Sequence, residues 1–240
     1  MQNIATKSVR EPPSGGGDFA WLATARQTIP RLLRLTGCLR PTLHIPDIRR
    51  LDPAVLTNQG IRAVLWDVDG TLMEHHGDRV DPELLPAFER LLALDGVQHA
   101  ILSNCGEDRF LELGKIFPDL PVLRAYSISG RVLRRSLFQG QDRWSDPAGP
   151  ALHPHQLQRI SKPSDTLFRC VMEELGIADS RTLMMIGDQY FTDVAGANLC
   201  GAASVKVSTW RRDSFPLALR FFQRAEQLVY TVRNGREASA

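Results

Sequence analysis

The stretch Ile61-Arg62-Ala63-Val64-Leu65-Trp66-Asp67-Val68-Asp69-Gly70-Thr71-Leu72 decides how the rest of the chain is read. A mostly apolar run leads into Trp66, and two aspartates follow with one residue between them. Successive strand residues point to opposite faces, so Asp67 and Asp69 are expected on the same side where a strand ends. Neighbouring carboxylates repel, and a fold holds them only with a compensating cation or a shared proton. A strand followed by an ordinary Asp-Gly turn is the competing reading. The choice depends on the rest of the chain.

Working outward, the same pattern recurs. A short helix is expected near 52–58 with Gly60 as terminator, and a helix from 81 to 96 opened by Asp81-Pro82. A second strand, 97–102, ends at Ser103-Asn104. Glu107 and Asp108 suit the first turn of the next helix, and a short third strand spans 121–125. Residues 126–138 alternate weakly around Gly130 as a hairpin would, and 139–155, rich in Gly, Pro and Asp, reads as loop. Pro163 suits the first position of a helix stopped by Gly176. Strand 182–186 ends at Gly187-Asp188, followed by a helix over 193–199 and a strand over 202–207. Strands apolar on both faces, alternating with helices, imply a three-layer α/β/α, Rossmann-like parallel sheet. Ligands in such sheets bind beyond the C-terminal strand ends.

Asp67, Asp69, Ser103, Asn104 and Asp188 all stand just after expected strands, and Lys162 just before a helix. Each has a plain alternative: Ser-Asn as helix cap, Lys as surface charge, Gly-Asp as turn. Together on one sheet edge they suit phosphoryl transfer through a carboxylate nucleophile. Asp67 would attack phosphorus. Mg²⁺, a hard cation, would sit among the Asp67 carboxylate, the Asp69 backbone carbonyl and Asp188. Asp69 would protonate the leaving alkoxide and later deprotonate water. Ser103 and Asn104 would hold phosphate oxygens, and Lys162 would offset their charge.

Asp-Val-Asp-Gly-Thr-Leu, Leu-Ser-Asn, Ser-Lys-Pro and Gly-Asp-Gln-Tyr-Phe-Thr-Asp (187–193) resemble the four motifs of the haloacid dehalogenase-like superfamily of phosphohydrolases. Gly70, Thr71 and Asp193 are supporting positions of those motifs. The run Gly-Asp-Gln-x-x-Thr-Asp-Val-x-Gly-x-Asn is similar to the capless branch, subfamily IIIA, that contains YqeG-type proteins and phosphatidylglycerophosphate phosphatases. The resemblance spans roughly 39–210. It implies a hydrolase domain over 19–210 without a full cap domain, Mg²⁺ as cofactor, and a phosphomonoester substrate, a phospholipid among the candidates. The chain departs from the branch in two places. Gly70 stands where the branch usually has Asn, and 126–160 is an insertion long enough to flap over the site.

The 240 residues are 43% hydrophobic with net charge +2, enough for one sizeable core. Charge is uneven: residues 1–50 carry +5, 51–205 carry −7 and 206–240 carry +4. Basic ends suit an anionic surface, or simply solubility. Residues 1–18 read as a disordered lead-in. A basic amphipathic helix is expected over 19–39. The 211–240 segment reads as an amphipathic C-terminal helix and tail, with Leu217, Phe221, Ala225, Leu228, Val229 and Val232 as its apolar stripe. Each helix either packs on the domain, or for the C-terminal one on a second copy, or lies on a membrane. His75 and His76 read as loop histidines. The cysteines at 38, 105, 170 and 200 lack metal spacing and suit a reducing compartment. The expected location is the cytoplasm with membrane association, or mitochondrion or plastid in a eukaryotic source. No aromatic-interleaved basic motif suggests nucleic acid, and the oligomeric state is open. The alternatives are a phosphatase of soluble sugar or nucleotide phosphates and a non-catalytic phosphate-binding module.

Overall fold

The computed structural model describes residues 35–148 and 156–235. The expected lead-in over 1–18 and nearly all of the helix over 19–39 lie outside the described residues. The chain enters with β1 (Leu43–Ile45) and α1 (Pro53–Asn58). Asp52 caps α1 by accepting the Ala54 N–H at 2.9 Å, and Pro53 takes its first position. Then come β2 (Ala63–Trp66), α2 (Leu85–Leu92), β3 (Gln98–Ile101), α3 (Glu107–Ile116) and β4 (Val122–Ile128). Three strands follow, β5 (Arg131–Phe138), β6 (Gln141–Trp144) and β7 (Gln158–Ile160). The chain closes with α4 (Asp165–Glu174), β8 (Leu183–Gly187), α5 (Ala195–Cys200), β9 (Ala203–Val207) and α6 (Leu217–Asn234).

The sheet runs in the order β1-β9-β8-β2-β3-β4-β5-β6, with β7 also paired to β4. Its first six strands are mutually parallel, whereas β5, β6 and β7 are antiparallel to their neighbours. The two-residue period of β2 splits the core. Val64 and Trp66 join the layer built with α1, α2 and α3, while Ala63 and Leu65 join the layer built with α4 and α5. Burial on both faces is why the central strands read as unbroken apolar runs. Register puts Trp66 beside Ile101 on one flank and Ile186 on the other. Asp67, Ser103 and Asp188 therefore leave the sheet along one edge.

The structure corrects four local readings. The stretch 40–51, to which the sequence pattern assigns no element, holds the edge strand β1, whose three residues are too few to show a period. The stretch 139–155, which reads as loop, contains β6. α4 begins at Asp165 and α2 at Leu85, two and three residues later than Pro163 and Pro82 suggest. Finally, α6 packs on the domain with Phe222, Tyr230 and, of its apolar stripe, Val229, rather than with the whole stripe. Gln223, Glu226 and Tyr230 are buried, while Leu217, Phe221, Leu228 and Val232 are 64–79% exposed.

Candidate active site

At the end of β2 the Asp67 carboxylate is buried and its Oδ1 accepts from Lys162 Nζ at 2.7 Å. Lys162 Nζ also lies 2.6 Å from Asp193 Oδ1. Asp193 belongs to a π-helical turn, Tyr190–Val194, that follows β8, and its other oxygen accepts the Gln189 N–H at 3.0 Å. Gly187 makes this possible, because a Cβ there would sit 2.2 Å from Asp193 Oδ2. Carboxylate oxygens of Asp67, Asp188 and Asp193 all lie within 4.8 Å of one another. Asp188 Oδ2 accepts from Thr209 Oγ1 at 2.8 Å and from Gln223 Nε2 at 3.3 Å.

The electrostatics are unbalanced. Burial pushes the Asp67 carboxyl well above the usual carboxylate range; Lys162 opposes this, and Asp193 and Asp188 add to it. Burial, then Asp193, pushes Asp188 up to about 6. For Lys162 burial works against the charged form, but Asp193 and Asp67 outweigh it and hold the ammonium above its ordinary range. Three buried carboxylates thus face the Lys162 ammonium, with a second buried ammonium, Lys206, acting on Asp188 and itself shared with Glu226. Asp188 Oδ1 is buried with no hydrogen-bond partner among the described residues. An all-oxygen donor set, surplus negative charge and an open acceptor atom fit a hard divalent cation such as Mg²⁺.

Similarity to known proteins follows the same division of the chain. Residues 159–214, which hold Lys162, Asp188 and Asp193, match the HAD-hydrolase-like family model. Residues 23–109, which hold Asp67, Asp69, Ser103 and Asn104, match the mitochondrial PGP phosphatase model. Both matches are to phosphatase or hydrolase models, so this chain is similar to haloacid dehalogenase-like proteins. It is 29% identical over 186 residues to phosphatidylglycerophosphate phosphatase 1, chloroplastic/mitochondrial, of Arabidopsis thaliana, covering 78% of this chain and 45% of that one. It is 27% identical over 188 residues to phosphatidylglycerophosphate phosphatase 1, chloroplastic, of Chlamydomonas reinhardtii, covering 78% and 59%. The chain therefore spans about half the length of the curated relatives it matches. An uncharacterized protein from Listeria monocytogenes serotype 4b is similar at 20% identity and TM-score 0.35, covering 70% of this chain and 98% of that one.

Other expected residues of the site take places the motifs do not specify. Asp69 is not in the buried cluster. Its Oδ1 accepts from Arg109 Nη2 at 2.7 Å and from the His76 N–H at 3.1 Å, and its carboxylate groups with His75 and His76. Each of the two aspartates thus has its own cation. Ser103 lies half-buried in the loop after β3. Asn104, expected on phosphate, instead commits its amide to the Lys162 backbone: Nδ2 donates to the carbonyl at 3.0 Å and Oδ1 accepts the N–H at 2.9 Å. It ties the loop after β3 to the Ser-Lys-Pro segment and so positions the lysine. Thr71 is buried against the turn that follows Asp69, where Gly70 takes φ +86.

Sequence reasoning missed Arg109, Thr209, Gln223 and Lys206. Arg109 did leave a signal, since a cation in the first turn of a helix opposes the helix dipole unless a nearby anion holds it. Lys206 is buried near Asp188 and Glu226, with its ammonium 4.8 Å from the Tyr190 ring centroid. Thr209 and Gln223 carry no motif, and only the return of the chain beside β8 brings them to Asp188.

Proposed function

We propose that this chain is a Mg²⁺-dependent phosphomonoester hydrolase that forms an aspartyl-phosphate on Asp67 and acts on phosphatidylglycerophosphate. The observation that carries the reaction is the buried Asp67 carboxylate held by Lys162 Nζ at 2.7 Å beside Asp188 and Asp193. In the first half-reaction an Asp67 oxygen bonds to phosphorus as the bond to the substrate's ester oxygen breaks. The leaving alkoxide takes the proton from Asp69. In the second, Asp69 recovers a proton from water, whose oxygen bonds to phosphorus as the bond to Asp67 breaks, releasing inorganic phosphate. Arg109 and the His76 N–H hold Asp69 Oδ1, so Oδ2 is the oxygen assigned to the proton. Lys162 offsets charge on the transferring group, and Asn104 fixes Lys162.

Asp67, Asp188 and the Asp69 carbonyl would hold Mg²⁺, which supplies Lewis-acid polarisation and charge neutralisation when bound. The lipid substrate is supported by the family model over 23–109 and by what the two relatives are named for. Contact with a membrane is supported by the basic charge of the ends; among the described residues no helix is long and apolar enough to cross one.

The test is release of phosphate from a generic aryl phosphate with and without Mg²⁺, in wild type and Asp67→Asn. Well-folded wild type that is inactive across phosphomonoesters overturns the reaction. Hydrolysis of phosphatidylglycerophosphate in mixed micelles, beside a panel of sugar and nucleotide phosphates, tests the substrate. Turnover of the panel without lipid turnover overturns the lipid assignment alone.

A further inference from the structure

α6 departs from the usual distribution of side chains on a docked helix. Its inward face mixes polar and apolar groups: Phe222, Val229 and Tyr230 pack on a core cluster, while Gln223 and Glu226 are also buried, Glu226 accepting the Phe191 N–H at 3.0 Å and Gln223 reaching Asp188 at 3.3 Å. Its outward face is apolar. At 100° per residue Leu217, Phe221, Leu228 and Val232 fall in one narrow stripe, 78%, 75%, 64% and 79% exposed. Water gives no reason to turn two leucines, a phenylalanine and a valine outward while a glutamate is buried.

Charge identifies the occupant. α6 carries Arg220, Arg224 and Arg233, and its one acid, Glu226, is turned inward. On the helical wheel Arg220 and Arg224 border one side of the stripe, while Arg233 lies about 100° past the other side, next to Glu226. A narrow apolar stripe bordered by arginines suits the plane between acyl chains and anionic headgroups. Four such side chains offer roughly 500 Å², short of the ~800 Å² per partner typical of stable protein pairs. The inward face of the same helix touches Asp188, so the buried carboxylates lie about one helix diameter, roughly 10 Å, from the stripe.

We infer that α6 is a docking helix. It lies along an anionic lipid surface with Leu217, Phe221, Leu228 and Val232 in the lipid, and so carries the carboxylate site to the headgroup layer. This deepens the reading of the site as a lipid-phosphate hydrolase and rests on it for its purpose, although docking is measured without catalysis. The experiment is co-sedimentation of the full chain with vesicles of phosphatidylcholine alone and of phosphatidylcholine and phosphatidylglycerol in equal parts. Wild type is compared with Phe221→Gln/Leu228→Gln and with Arg224→Gln/Arg233→Gln. The expected result is binding to the mixed vesicles only, lowered at least about tenfold by either double substitution. Melting temperature and aryl-phosphate turnover in solution stay as in wild type.

Wild type that does not bind mixed vesicles overturns docking, as does a Phe221→Gln/Leu228→Gln protein that binds them equally. A wild-type dimer that this substitution converts to monomer makes the stripe a subunit interface and overturns it too. A large fall in melting temperature on the same substitution means another part of this chain covers the stripe, which likewise overturns docking. Loss of the phosphatase reading would appear separately, as bound protein with no turnover of any phosphomonoester.

Discussion

Among the described residues two groups of potential metal ligands lie near the end of β2, and they are not equivalent. Asp67, Asp188 and Asp193 are buried, brought together by β2 and β8, and held by Lys162. Asp69, His75 and His76 lie on a more exposed turn, with Arg109 on the aspartate and the His75 ring stacked on Phe215 at 4.7 Å. Both groups bring three ligand atoms close. Only the first combines surplus buried negative charge with an acceptor atom that has no partner among the described residues. Burial and charge balance, more than proximity, separate a cation site from a cluster of polar side chains.

The comparison fails if the two groups respond alike to substitution. The largest effect is expected from Asp67→Asn, which removes the nucleophile and lowers kcat by about 10³-fold or more, read with an aryl phosphate. A His75→Ala/His76→Ala protein losing as much would reverse the assignment. Lys162→Met comes next, with kcat lower by roughly 10²-fold and the protein less stable, because Asp67 and Asp193 then share a buried site without their cation. Chemical denaturation alongside the assay separates the two losses.

Glu226 tests the cost of negative charge on the buried side. Burial raises its carboxyl to about 8. The folded state therefore holds its proton more tightly than the unfolded chain, with an ordinary value near 4.5. Its contribution to stability is full below about 4.5 and is lost as pH rises through about 8. Metal-free wild type should lose a few kcal/mol over that window, and Glu226→Gln should flatten the curve in urea melts at several pH values. The smallest effect is thermal. Excess Mg²⁺ should raise the melting temperature of wild type and of His75→Ala/His76→Ala by a few degrees, and leave Asp188→Asn unmoved. An unmoved wild type would argue against a cation at the buried group.

The central sheet was legible because its strands are buried on both faces and interrupted by helix caps and glycines, as at Asp52, Gly60 and Gly201. β1 and β6 were not, being short and partly exposed. Asp67, Asp188 and Lys162 were legible because each closes or opens an element at the same sheet edge. The environment of Asp69 was not, since its cation comes from Arg109, which follows in chain order but is buried by tertiary packing. α6 is a different kind of miss. Periodicity locates an apolar stripe but not the medium it meets, and the buried polar face is decided by Asp188 and the Phe191 N–H.

Gly70 has a consequence for how this sequence can drift. Its φ of +86 suits glycine, with asparagine the next best tolerated. A Cβ there would sit 2.9 Å from Asp188 Oδ2, 2.9 Å from Phe215 Cζ and 3.0 Å from Thr209 Cγ2. Phe215 belongs to the segment that leads into α6, far along the chain. A side chain at position 70 is thus closed to this chain until Asp188, Thr209 and Phe215 all give way. The order of substitutions matters, and a residue in the segment before the last helix helps set which neighbours the nucleophile can acquire.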